Sequence, residues 1–416
     1  MNGVNTNIPK LRFPEYWQSG AWDDKPLNQL STSIFDGTHQ TPKYTLEGIP
    51  FFSVENLVSG KSNKFISRKD YLIATSKNKP EKGDVLITRI GNIGFSAVIN
   101  WDYEFSIYVT LAVIKKTEKF DSYYLHSYLQ SERYQTEIRS KSLLNAAPCK
   151  INMDELRKTR VLFPSLKEQQ KIADCFSSID ELITVQNQKI ETLKAHKKGL
   201  KQQLFPCDGE TVPTLRFPEF RDTGEWQMKP LGDVAEIITG STPKTAELDN
   251  YGGDKLFVSP ADISDERYIS QTKKTLSVKG FTKTRHVQAN SILFVCIGST
   301  IGKIAQNKVE CATNQQINAV VPKKSFSGGF LYFYLDNEAS KIAGIAGRQA
   351  VPIINKTLFS SVLLSFPTYK EQQKIADFLS SIDELISTKV EKIKALKTHK
   401  KGLMQQLFPS MDEGII

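Results

Sequence analysis

Two stretches of this chain carry apolar residues alternately four and three positions apart. In the first they are Ile172, Phe176, Ile179, Ile183, Ile190, Leu193, Leu200 and Leu204, with Gln186 and Lys197 at the two polar positions. In the second they are Ile375, Leu379, Ile382, Ile386, Ile393, Leu396, Leu403 and Leu407, with Lys389 and Lys400. Such spacing is a heptad seam, one narrow stripe that a helix must bury against a partner. Ser165 with Glu168, and Thr368 with Glu371, form S/T-x-x-E capping boxes directly after Pro164 and Pro367, and so predict where the helices begin. Phe205-Pro206 and Phe408-Pro409 end them. At ~1.5 Å per residue, residues 165–204 would span roughly 60 Å. Two near-copies in one chain can bury each other's seams, and the pattern predicts that they pack antiparallel. Gln186 and Lys389 would then lie near the middle without a Lys-Lys clash. Gly199 and Gly402 would each cost about 1 kcal/mol in a helix interior, which suggests close backbone approach or a frayed end.

Ahead of each seam the pattern changes to strands. GDVLITRI (83–90), FSAVI (95–99) and IYVTLAVI (107–114) are β-branched and aromatic runs, followed by a helical stretch at 121–138. KLFVS (255–259), SILFVCI (291–297) and INAVVP (317–322) precede a helix from Gly329 to about Ile345. The frames around these inserts repeat. Residues 8–27 match 212–231 at 11 of 20 positions, and 163–206 match 366–409 at 31 of 44. Between these blocks only fragments align, among them TPK at 41–43 and 242–244 and RIGNIG beside CIGSTIG. The prediction is an α+β protein with a pseudo-two-fold repeat: two α/β domains at opposite ends of two long helices packed as an antiparallel coiled coil. Its parts are residues 1–162, the helix 163–206, residues 207–365, and the helical region 366–416.

Composition narrows the class. The 416 residues include 39% hydrophobic and 24% charged, which excludes disordered and collagen-like chains, and the formal net charge is +10. The longest purely apolar run, Ile292 to Ile297, is six residues. A bilayer needs roughly 20, so no membrane partner is expected. Positions 1–13 lack an export signal's apolar core, and the five cysteines follow no pairing motif. A reducing cytoplasm is the expected location.

Catalytic signatures are sparse. The sequence has no G-x-x-x-x-G-K-[ST] loop, no G-x-G-x-x-G fingerprint and no N-P-P-Y-type methyltransferase tetrapeptide. GSTIG at 298–302 reads as a tight turn between strands. His196 and His399 each adjoin two lysines, which oppose a cation, and no C-x-x-C occurs, so neither a metal nor a catalytic residue is assigned. Nucleic-acid binding fits better. Net positive charge attracts phosphate, and base reading needs polar side chains able to enter a groove. Such residues cluster in the insert loops: Thr38, His39, Gln40, Thr41, Lys43, Arg68, Lys69, Arg89 and Asn92, then Ser241, Thr242, Lys244, Ser299, Thr300, Asn314, Gln315, Arg348 and Gln349. Arg89 and Arg348 are the sharpest candidates for a base or phosphate contact. The Lys197-Lys198 and Lys400-Lys401 pairs read as solvated helix faces or protein-docking surface. Tyr123, Tyr124, Tyr128, Phe330, Tyr332 and Tyr334 have core spacing.

The recurring LRFPE, F-P-x-x-x-E-Q-Q-K-I-A, S-S-I-D-E-L-I and K-K-G-L-x-Q-Q-L-F-P signatures together resemble the specificity subunit (HsdS) of type I restriction-modification systems, over essentially the whole chain. The resemblance implies that each insert is a target recognition domain reading one half of a bipartite double-stranded DNA sequence, with the helices setting the gap. It implies two modification (methyltransferase) subunits and restriction (translocase/endonuclease) subunits as partners. S-adenosylmethionine, ATP and Mg2+ would belong to those partners, leaving this chain without a cofactor. The repeated blocks would dock the modification subunits, and dissimilar inserts imply an asymmetric target.

Overall fold

The two helices start and stop where the prolines and capping residues place them. In the computed structural model, which describes residues 7–57, 60–347 and 351–410, they run Leu166–Leu204 and Tyr369–Leu407. The chain divides into two compact units, Met1–Asn187 with Glu391–Ile416, and Gln188–Val390. Each long helix therefore gives one half to each unit.

In the first unit a four-stranded antiparallel sheet has the order Ile34–Asp36, Leu111–Ile114, Val85–Thr88, Ser96–Val98. A second sheet runs Tyr44–Thr45, Phe65–Ile66, Ile49–Phe52, Ser106–Ile107, its last pair parallel. The apolar run 107–114 is thus two strands in two sheets, not one: the chain crosses between sheets at Tyr108–Thr110. Alternation alone cannot reveal a change of sheet, because both sheets bury these residues. The helical stretch 121–138 is likewise two helices, Ser122–Leu129 and Glu132–Ser140, separated where the Ser131 side chain accepts from Tyr134 N and caps the second.

The second unit repeats this plan. Ala235–Thr239, Ile317–Pro322, Ile292–Val295 and Ile304–Asn307 form the antiparallel part of a five-stranded sheet, with Tyr268–Ile269 added in parallel. The second sheet runs Thr275–Leu276, Tyr251–Val258, Cys311–Thr313, His286–Val287, and its central pair is again parallel. The helix Gly328–Gly344 packs over the first sheet, burying Phe330, Tyr332 and Tyr334.

Within each unit the two helical segments run antiparallel. In the first, Phe176 stacks on Phe408 with ring centroids 5.6 Å apart, and four residues further on Asp180 meets Lys400 at 2.6 Å. In the second, Lys197 meets Asp383 at 2.5 Å, and Leu200, Leu204, Ile375 and Leu379 gather in one apolar cluster. Ile172, Phe176, Ile179, Ile190, Ile375, Leu379 and Ile393 are buried, while Ile183, Leu193, Leu200, Ile382, Ile386, Leu396 and Leu403 are half-buried. Lys197 and Lys400 therefore belong to the seam rather than to a solvated face. Each is drawn in by an aspartate on the opposite helix, and their neighbours Lys198 and Lys401 are the exposed ones. Such polar pairs at seam positions fix register and orientation.

The repeated blocks hold each unit together. Arg12 donates from Nε and Nη2 to the two oxygens of Glu168, both at 2.7 Å, with the side chains only 7% and 1% exposed. Arg216 does the same to Glu371 at 2.7 and 2.8 Å. The capping boxes are thus half formed. Ser165 and Thr368 accept from Glu168 N and Glu371 N at 3.4 Å, but the glutamate side chains, instead of folding back, take a guanidinium. A bidentate charged pair outcompetes a lone backbone N–H. Around this clamp Lys171 meets Glu15 at 3.2 Å and Lys374 meets Glu219 at 3.3 Å. Gln169 and Gln372 each donate to the preceding proline carbonyl and accept from the backbone N–H of the residue that caps a domain helix, Asp121 N and Ser327 N, at 3.0 Å. Leu11 N and Leu215 N cap the closing carbonyls Gln406 O and Gln203 O.

Gly199 and Gly402 make no close approach. A Cβ at either would meet nothing within 4 Å, and both lie inside regular helix, so neither unit explains them.

Two outcomes follow. Arg12→Ala strands the buried Glu168 charge and should cost ~3–5 kcal/mol in chemical unfolding of the first unit, whereas Arg12→Met with Glu168→Met should recover most of it; a single-variant loss below ~1 kcal/mol would contradict the clamp. His126 is half-buried by surface but closely surrounded by protein, its Nδ1 3.0 Å from Ser96 Oγ. Burial, with Lys400 adding and Asp180 opposing, pushes its pKa down to about 4. A histidine with a depressed folded pKa stays neutral in the native state while the unfolded chain takes up a proton near 6.5. Stability is then full above about pH 6.5 and lost as pH falls toward 4, by on the order of 3 kcal/mol. His126→Gln should flatten that decline in a pH series of thermal midpoints.

Candidate nucleic-acid interface

In each unit the loops carrying the candidate residues converge because the chain passes between sheets there. Gly37 and Gly240 make the crossing possible. A Cβ at Gly37 would lie 2.0 Å from Ile107 O, and one at Gly240 would lie 2.1 Å from Asn314 O, so only glycine fits.

In the first unit the 37–43 turn is tied to the crossing at 108–110. Thr38 N donates to Ile107 O, Val109 N donates to Thr38 O, and Thr41 Oγ1 lies 3.5 Å from Tyr108 Oη. The 89–94 turn joins them through Arg89 N to Thr110 O, and through Gly91 N to Cys149 O it meets the closing segment near Pro148. His39, Gln40, Thr41, Lys43 and Asn92 are exposed on this assembly. Arg89 is not. It is 6% exposed, with its guanidinium on Asp36 Oδ2 at 2.8 Å and on the carbonyls of Val109 at 3.1 Å and Ile151 at 3.3 Å. The structure places it beneath the loops as their internal brace. Arg68 and Lys69 stand elsewhere, at the start of the helix Arg68–Ala74; Arg68 pairs with Glu104 and lies over the Tyr71 ring.

In the second unit Ser241 N donates to Thr313 O at 2.9 Å, and Thr242 Oγ1 donates to Gln315 Oε1 at 2.6 Å. Asn314 Nδ2 donates to Gln316 Oε1 at 2.9 Å, which fixes that loop's outline. Lys244, Gln315 and Ser299 are exposed, and Thr300 is half-buried. Gly298 to Gly302 form the hairpin turn between Ile292–Val295 and Ile304–Asn307, and Gly298 N meets Pro352 O, as Gly91 N meets Cys149 O in the first unit. Arg348 and Gln349 lie outside the described residues.

Two participants escaped sequence reading. Exposed Arg285 donates from Nη1 to Thr239 O at 2.8 Å, and its backbone N–H donates to Ser241 Oγ at 3.0 Å. Tyr108 is the other. Only the polar run 282–286 hinted at Arg285. Thr38, Thr110 and Thr313 hold buried hydroxyls without a protein hydrogen-bond partner, all at the roots of these loops.

Other chemistry is not assembled. Among the described residues no group of three His, Cys, Asp or Glu side chains is placed to hold a metal ion. Burial pushes the Cys296 and Cys311 thiols up to about 12, far from reactive thiolates. Tyr124, Tyr128, Phe330, Tyr332 and Tyr334 are core residues. Among the described residues no helix is long and apolar enough to cross a membrane.

A duplicated frame that presents two dissimilar polar loop clusters defines a two-site recognition protein. The family described as type I restriction modification DNA specificity domain matches twice, over residues 22–195 and 223–398, and the chain belongs to it. It is a DNA-recognition protein of a restriction-modification system, not a catalyst. Among curated proteins, a putative type I restriction enzyme MjaX specificity subunit of Methanocaldococcus jannaschii is 23% identical over 404 residues, covering 93% of this chain and 92% of its own. The HindI specificity subunit of Haemophilus influenzae is 30% identical over 196 residues, 45% of this chain and 42% of its own. The S subunit of a type I restriction-modification system from M. genitalium shares the fold, with a TM-score of 0.59 at 16% identity, covering 97% of this chain and 99% of its own.

Proposed function

We propose that each unit reads one half of a gapped, asymmetric double-stranded DNA target, and that the long helices set the gap. The observation that carries this is the contrast between frame and insert. The Arg-Glu clamp and the Gln169 and Gln372 bridges are the same in both units, while the loops they support carry different side chains. Identical frames with unlike loops suit a protein that must hold two readers in one way and read two different sequences.

The same contrast points to the docking surface for two modification subunits. Leu182 and Leu385, at matching places in the identical S-S-I-D-E-L-I segments, are 48% and 44% exposed, and the seam does not use them. Trp17, Ile8 and Leu11 in the first frame segment, and Val212 and Leu215 in the second, are exposed as well. Apolar side chains repeated on the outside of a frame favour a repeated partner. Methyl transfer with S-adenosylmethionine, and cleavage by restriction subunits with ATP and Mg2+, would then be the partners' work, in the cytoplasm where the DNA lies.

The test is exchange. Replacing residues 32–160 with the corresponding insert of another specificity subunit should change one half-site and leave the second half-site and the gap intact. Methyladenine sequencing of DNA modified by the reassembled complex reads both halves at once. A change in both halves would overturn the proposal.

A further inference from the structure

We propose that His39 reads a base of the first half-site and that Asp36 and Arg89 are its positioning residues; this rests on the DNA-reading function proposed above. The two crossing turns share a frame. Gly37-Thr38 and Thr41-Pro42-Lys43 correspond to Gly240-Ser241 and Thr242-Pro243-Lys244, and the first turn holds two residues more, His39 and Gln40. Both turns leave their sheets in the same way: Thr38 N donates to Ile107 O at 3.1 Å and Ser241 N to Thr313 O at 2.9 Å. The added pair is therefore a local difference built onto a common exit, which is where two readers of unlike sequences should differ.

His39 is outward but not loose. Its side chain is 72% exposed, yet Nε2 lies 3.0 Å from Asp36 Oδ2. A carboxylate can only accept, so Nε2 carries the hydrogen, and in the tautomer protonated there alone Nδ1 is an acceptor. Asp36 is itself fixed, because the same oxygen accepts from Arg89 Nη1 at 2.8 Å. Arg89 is held in turn by two backbone carbonyls and by its own backbone bonds to Thr110 and Ile151. Its buried cation also offsets the Asp36 charge, which would otherwise repel phosphate from this surface. An exposed histidine–aspartate pair contributes little to stability, so what the chain of contacts provides is orientation. An aimed acceptor suits the exocyclic amino group of adenine or cytosine in the major groove. In the second unit Thr239 stands where the first has Asp36, and Thr242 Oγ1 meets Gln315 Oε1.

Selection of bound duplexes from a randomised DNA pool by the full chain tests this. The wild type should recover a two-part motif. His39→Ala should make one position of one half-site degenerate, with preference there falling ~10-fold or more, while the other half-site is unchanged. Asp36→Asn should relax the same position less severely, and His39→Gln, which keeps an acceptor, should restore part of the preference. Every position retained in His39→Ala, or a different position relaxed by Asp36→Asn, overturns the inference. If Asp36→Asn unfolds the first unit, the whole first half-site disappears, and His39→Ala alone decides. A wild type that recovers no two-part motif refutes the DNA-reading proposal itself, and this inference with it.

Discussion

Each unit depends on one ion pair. Arg12 on Glu168, and Arg216 on Glu371, join the segment that opens a unit to the first turn of the helix that follows its recognition domain. Removing one partner from such a buried pair leaves an uncompensated charge, so the two segments stay together or fail together. The opening segment also reaches the end of the other helical piece, through Leu11 N on Gln406 O and Leu215 N on Gln203 O. A few polar residues thus fasten three stretches distant in sequence. That is why LRFPE and E-Q-Q-K-I-A repeat as a pair: neither is satisfied without the other.

With the frame's key charged residues paired within the frame, the inserts can differ without unsettling it. What the frame asks of an insert is small. It needs a helix whose N-cap backbone N–H meets Gln169 or Gln372, and a short strand to pair with the one leading out of the domain: Asp23–Pro26 against Arg160–Phe163, and Gln227–Pro230 against Leu363–Phe366. Within the insert, the crossing between sheets at Gly37 and Gly240 carries the polar turns to a common edge. The modest net charge fits this economy. Many cations are engaged inside the protein: Arg12, Arg89, Lys197, Arg216 and Lys400 all serve internal pairs.

Much of this was legible in the sequence because it rests on periodicity and repetition. The 4-3 spacing predicted the long helices and their buried stripe, and the duplicated blocks predicted two units on one plan, but each unit takes half of each long helix, a division that no boundary in the sequence marks. The rest was hidden wherever a residue's partner lies far away in sequence. The run 107–114 reads as one strand because both sheets bury it. Glu168 and Glu371 read as capping residues, since a capping box is local and Arg12 is 156 residues away. Lys197 and Lys400 fall at seam positions by spacing, yet their lysine pairs read as solvated or docking surface because their aspartates sit on the other helix. Arg89 read as a DNA contact for the same reason: a loop arginine and a buried brace look alike until Asp36 and the 108–110 crossing are placed around it. The polar loops were legible in the sequence, but which of their residues meet in space was not: Arg68 and Lys69 stand on a separate helix.

The most direct test of the whole account is methyladenine mapping in a host that carries this gene, with and without its deletion. The account predicts a gapped motif with two different half-sites, methylated in the intact strain and lost on deletion. A motif that survives deletion, or one that proves continuous and undivided, would contradict it.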